Sequence, residues 1–143
     1  MERIDLTFYN NRFSIYRYIF SHMWNFCSKK PEYHNSDKKN DILRLFEKCD
    51  EIIGLVENIC NNKPIPHERY YNNFERFGDM LQLKNIYGEL LEYFPSYKFI
   101  IFENISKRDV QKLKNELLYI NARFILVTRK RDVLLTSDDI KKI

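Results

Sequence analysis

The sequence predicts an α/β protein: a small, mostly parallel sheet with a C-terminal βαβ unit and a long antiparallel helical hairpin arm. Three observations predict it. Residues 97–103 and 124–128 are near-continuously apolar over strand length, as strands buried on both faces are. Between them Val110, Leu113, Leu117 and Leu118 form one apolar helical stripe, so a right-handed crossover is expected. Upstream, residues 41–94 repeat apolar residues at a 3.6 period on both sides of a proline loop.

The elements follow in chain order. Residues 3–9 alternate, with Ile4, Leu6 and Phe8 on one face, so a half-buried strand is expected there. Residues 12–27 are dense in aromatics. Phe13, Tyr16, Phe20, Met23 and Trp24 fall on one helical face, and the other face is apolar enough to suggest a second contact surface, such as a subunit interface. Residues 28–40 have little apolar content and read as a loop or mobile linker. Asn40 or Asp41 can cap the next helix. Its seam is Ile42, Leu45, Phe46, Cys49, Ile52, Ile53, Val56 and Ile59, and Pro64 and Pro66 stop it.

A second helical region spans residues 67–94, with a break expected near Gly78 and residues 81–83. Two long helices across a short proline loop suggest an antiparallel pair. Ser106-x-x-Asp109 is close to a capping box for the helix after the first buried strand. Residues 133–135 read as a last strand, and residues 136–139 as the cap of a terminal turn.

With 143 residues, 44% apolar and 31% charged, one domain over 1–143 is expected, neither disordered nor membrane-spanning. No apolar run approaches the roughly 20 residues that a bilayer requires. The N-terminus lacks a signal peptide's apolar stretch, and three cysteines without a C-x-x-C pair argue against a disulfide framework or zinc site. A cytoplasmic, reduced setting is expected. The three glycines are scattered, so neither G-x-x-x-x-G-K-[ST] nor G-x-G-x-x-G occurs. Phosphate-cradling loops need clustered glycines, and no nucleotide site is expected. Abundant Lys and Asn fit low-GC coding and carry little functional weight.

The net charge of +4 is uneven. Residues 98–143 carry +5 and residues 1–97 carry −1. Clustered positive charge suits phosphates, and it also suits a plain solvated helix face. Lys107, Arg108, Lys112, Lys114, Arg129, Lys130 and Arg131 are the candidate phosphate contacts. Catalytic constellations are weak. Cys27 and His22 lie five apart with no third orienting group, which suits an inert buried cysteine better than a nucleophile. His22, His34 and His67 are scattered. The acid pairs Asp50-Glu51 and Asp138-Asp139 are possible cation ligands, though such pairs are ordinarily solvated.

The segment from Phe99 to Asn104, its helix, and Phe124 to Arg129 resemble the second half of P-loop ATPases of the ABC type. Phe102 stands where that family has an acid, and Arg129 where it has histidine, so the resemblance implies a fold kept after loss of hydrolysis. Residues 74–143, about half of the chain, resemble the C-terminal half of the CRISPR-associated adaptation protein family of type II-A systems. The helix at 83–94, the "KFIIFENIS" strand, the "FILVT" strand and residues 133–140 carry that resemblance.

It implies a degenerate P-loop-like fold, a ring-shaped homo-tetramer that threads double-stranded DNA ends, and structural calcium. It also implies a role in spacer acquisition, an antiviral defence, without nuclease activity. It places no calcium ligand on a named residue. The expected function is therefore non-enzymatic, sequence-nonspecific binding of double-stranded DNA. The alternative is a small interaction or regulatory protein of viral or mobile-element origin, acting through its aromatic N-terminal helix. A metal-dependent nuclease using Glu103 with Asp138 or Asp139 ranks last.

Overall fold

The computed structural model describes residues 1–33, 37–62, 77–117, 122–128 and 135–136. The architecture is mixed α/β. In chain order the elements are β1 (Glu2–Asp5), α1 (Ile15–Ser28), α2 (Asp37–Asn62), α3 (Phe77–Tyr93), β2 (Phe99–Ile105), α4 (Val110–Leu117), β3 (Arg123–Thr128) and β4 (Leu135–Thr136). Short 3₁₀ turns occupy Pro31–Tyr33, Pro95–Lys98 and Lys107–Asp109.

The sheet order is β1-β2-β3-β4. β1 pairs with β2 in parallel, Glu2 opposite Ile100 through Asp5 opposite Glu103. β2 pairs with β3 in parallel from Phe99 opposite Arg123 to Phe102 opposite Leu126, and β4 runs antiparallel to β3. Central β2 buries Ile100, Ile101 and Phe102 in succession, which is why it reads as an unbroken apolar run. Beyond Phe102 the register slips, and Ile105 faces Thr128. β2 therefore carries one more residue than β3 across this step, and Asn104 takes φ 61°. Asparagine tolerates that left-handed backbone better than most residues.

Several boundaries differ from the sequence reading. β1 ends at Asp5 because its Oδ1 accepts hydrogen bonds from the Thr7 amide (2.9 Å) and the Thr7 hydroxyl (2.6 Å), turning the chain. The turn breaks the alternation. Phe8, expected in the core, is 92% exposed, and Tyr9 is buried instead. α1 starts at its Ser14 cap, whose Oγ accepts from the Tyr16 amide. Phe13 therefore precedes the helix and stays exposed. The buried seam is Ile15, Tyr16, Ile19, Phe20 and Met23, with Trp24 at its exposed margin.

α2 starts at Asp37, inside the stretch expected as a loop. Its first turn has no apolar residue, so periodicity could not reveal it. Asp37 suits the positive end of the helix dipole. Ile42, Cys49, Ile52, Ile53 and Val56 form the buried seam as expected. α3 runs unbroken through residues 81–83, where a break is expected, and it begins beside Gly78, with the residues before Phe77 outside the described ones. It buries Leu83, Ile86, Tyr87, Leu90 and Leu91.

α2 packs against both α1 and α3, while α1 also touches β1 and α4. One apolar core joins these helices to the sheet. Burying each of the larger side chains stabilises the fold by about 1.5–3 kcal/mol.

Candidate functional site

Three parallel strands end on one edge of the sheet, the edge where parallel sheets usually receive ligands. At the end of β1, Asp5 Oδ1 also accepts from Asn104 Nδ2 (2.9 Å). At the end of β2, Glu103 pairs with Arg3, NH1 to Oε1 at 2.5 Å. The sequence reading considered Glu103 as a metal ligand, and here that carboxylate is held by a cation. Its suggested partners Asp138 and Asp139 lie outside the described residues. Among the described residues no group of three or more His, Cys, Asp or Glu suits a metal ion.

The seven basic candidates separate by position. Lys107 and Arg108 are exposed in the turn just after β2, with the Arg108 side chain 3.9 Å from Asp109. Lys114 is half-buried on α4. Arg129, Lys130 and Arg131 follow β3 in sequence and lie outside the described residues.

Lys112 corrects the sequence reading. It was expected at the surface, yet its side chain is only 8% exposed. Its Nζ donates to the Asn11 and Phe13 carbonyls, the latter at 2.6 Å, and lies over the Tyr9 ring, 5.1 Å from the centroid. Glu116 Oε1 is 3.5 Å away, one helical turn along α4. The ammonium is thus absorbed by chain from the other end of the sequence.

Glu116 belongs to a buried polar centre that sequence reasoning missed. Its Oε2 accepts from Ser14 Oγ (2.7 Å) and from the Ile15 amide (2.8 Å). Glu57, from α2, accepts from the Ser14 amide (3.1 Å) and from Arg17 Nε (2.8 Å), and pairs with Arg17 NH2. The hydrogen bond to Glu57 is the main cause that raises the Arg17 pKa.

The first turn of α1 contains no acid of its own. Two carboxylates from α2 and α4 supply the negative charge that the helix N-terminus attracts. The centre thereby fixes three helices to one another. One sequence signal was available, the i, i+4 Lys112–Glu116 pair beside the apolar stripe.

Cys27 and Cys49 have the wrong environment for nucleophiles. Burial raises the Cys27 thiol pKa, and it pushes Cys49 up to about 12, with a smaller contribution from Asp50. Thiols held protonated attack poorly. His22 Nδ1 lies 2.7 Å from the Tyr97 hydroxyl, which ties α1 to the turn before β2.

The aromatic helix does present an outer surface. Trp24 is 42% exposed and sits between two cavities along the α1–α2 seam, of about 470 and 250 Å³. No helix among the described residues is long and apolar enough to cross a membrane. Comparison with family models, curated proteins and solved structures gives no match for the chain.

Proposed function

We propose that this chain is a non-enzymatic protein that binds double-stranded DNA without sequence preference, as an oligomer that loads over DNA ends. One observation supports it above the others: β2 and β3 are parallel neighbours. Lys107 and Arg108 follow the carboxyl end of one strand in sequence, and Arg129, Lys130 and Arg131 follow the same end of the other. The proposed phosphate contacts are therefore Lys107 and Arg108 beyond β2, Lys114 on α4, and the three cations that follow β3 in sequence, with Lys112 left out of the set.

Phosphate contacts of this kind position a duplex without reading bases. The finer architecture belongs to the same proposal, with β2, α4 and β3 as a βαβ crossover and α2 with α3 as an antiparallel hairpin. The ring form, the structural calcium and the setting in CRISPR adaptation rest on the family resemblance.

The test is a gel-shift titration of linear against closed-circular duplex, at low and high salt, with and without Ca²⁺. Binding of linear DNA alone, weakening steeply with salt as counterions are released, is the expected result. Neutralising Arg129, Lys130 and Arg131 together should abolish the shift without changing the melting temperature. Binding that survives this change would overturn the site. Failure to bind either form would overturn the function and return attention to the exposed side of α1.

A further inference from the structure

We infer that the larger cavity between α1 and α2 is a binding site for a small organic cation of the quaternary-ammonium class. Its wall includes Phe20, Trp24 and Phe46, with Glu47 and Asp50 at its polar side. Phe46 stands nearly perpendicular to both other rings. It makes 83° with Trp24 at 5.4 Å between centroids, and 84° with Phe20 at 6.4 Å. Edge-to-face contacts at these distances join the three rings into one aromatic wall. Aromatic faces carry negative electrostatic potential and attract quaternary ammonium groups.

Charge on the wall points the same way. Glu47 and Asp50 lie three residues apart on α2, both exposed at this cavity. Arg17 also lines it, but its guanidinium is held by Glu57 and lies 3.5 Å from Asp50. Arg17 is one cation against two α2 carboxylates on this wall, so the cavity keeps a negative balance. An anion would meet both of them. A neutral apolar ligand would cover them without compensation, whereas an organic cation satisfies rings and carboxylates together. A methylated ammonium also has no N–H donors left to pair among apolar walls, unlike a primary one. The volume of about 470 Å³ lies within the usual range for small-ligand sites.

Trp24 is the single tryptophan of the chain and lines this cavity, so its emission reports binding there, and the α2 carboxylates, which line this cavity and not the smaller one, assign the signal. The full chain is titrated at constant ionic strength with choline, with an N-trimethyl-lysine amide, and with 3,3-dimethyl-1-butanol, the neutral isostere of choline. A saturable emission change with the two cations and none with the alcohol is expected. Tighter binding of the lysine derivative would mark a modified peptide as the source, and tighter choline a free small molecule. The double variant E47Q/D50N changes two exposed side chains and should weaken binding by about fivefold or more. A flat titration, an equal response to the neutral alcohol, or unchanged affinity in the double variant would overturn the inference.

Discussion

Lys112 shows what a single residue's letter leaves out. A lysine in a basic third of the chain reads as a surface cation, and charge clustering alone gave no reason to separate it from Lys107 or Lys114. Its burial depends on carbonyls at Asn11 and Phe13, about a hundred residues away, and no local pattern encodes that approach. The consequence can be measured. Replacing Glu116 by Ala removes the acceptor of Ser14 Oγ and of the Ile15 amide, and leaves the Lys112 ammonium facing an emptied site. Breaking one partner of a buried pair costs about 3–5 kcal/mol, so urea unfolding should show a loss of that order. Lys112→Met should cost less, because Glu116 keeps its two donors from α1. Equal small losses from both changes would mean that the centre does not hold the helices together.

Elements were legible wherever burial repeats with a fixed period. The α2 seam and the buried run of β2 follow directly from sequence, because one face of a helix and both faces of a central strand leave clear patterns. Boundaries failed where a side chain interrupts the period. Asp5 turned β1 early and exposed Phe8, and the polar start of α2 concealed its first turn. The extra residue in β2 belongs to the same class.

Asn104 accepts a left-handed backbone there and ties the strand end to Asp5. Asn104→Ala should destabilise the fold by about 1–2 kcal/mol, since a Cβ-bearing residue without a local polar side chain tolerates this region poorly. Asn104→Gly should cost less, having lost only the hydrogen bond. Thermal unfolding of the two variants side by side checks this, and the opposite ranking would show that the left-handed backbone does not decide the position.

At the scale of the whole molecule, four buried groups that titrate at alkaline pH, Tyr9, Cys49, Tyr87 and Tyr97, keep their protons. Burial pushes Cys49 up to about 12 from an ordinary 9.0. Burial likewise raises the Tyr9, Tyr87 and Tyr97 hydroxyls far above their ordinary value of 10.0. Carboxylates add to the effect, chiefly Glu116 at Tyr9 and Glu2 at Tyr97.

Each of these groups keeps its proton more firmly in the folded chain than in the unfolded one. Between the two pKa values the unfolded state binds fewer protons, so the free energy of unfolding falls as pH rises. The stabilisation is complete below pH 9 and is lost above it, first through Cys49 and Cys27 and then, from pH 10, through the tyrosines. One group contributes at most about 1.4 kcal/mol per pH unit, so three tyrosines acting together make the decline steep.

Melting temperatures recorded from pH 8 to pH 11 should stay level to about pH 9 and then fall at an increasing rate. The double change Cys27→Ala with Cys49→Ala should carry a cavity cost at every pH and move the onset of the fall to about pH 10. An onset that stays at pH 9 in that variant would assign the alkaline transition to some group other than these two thiols.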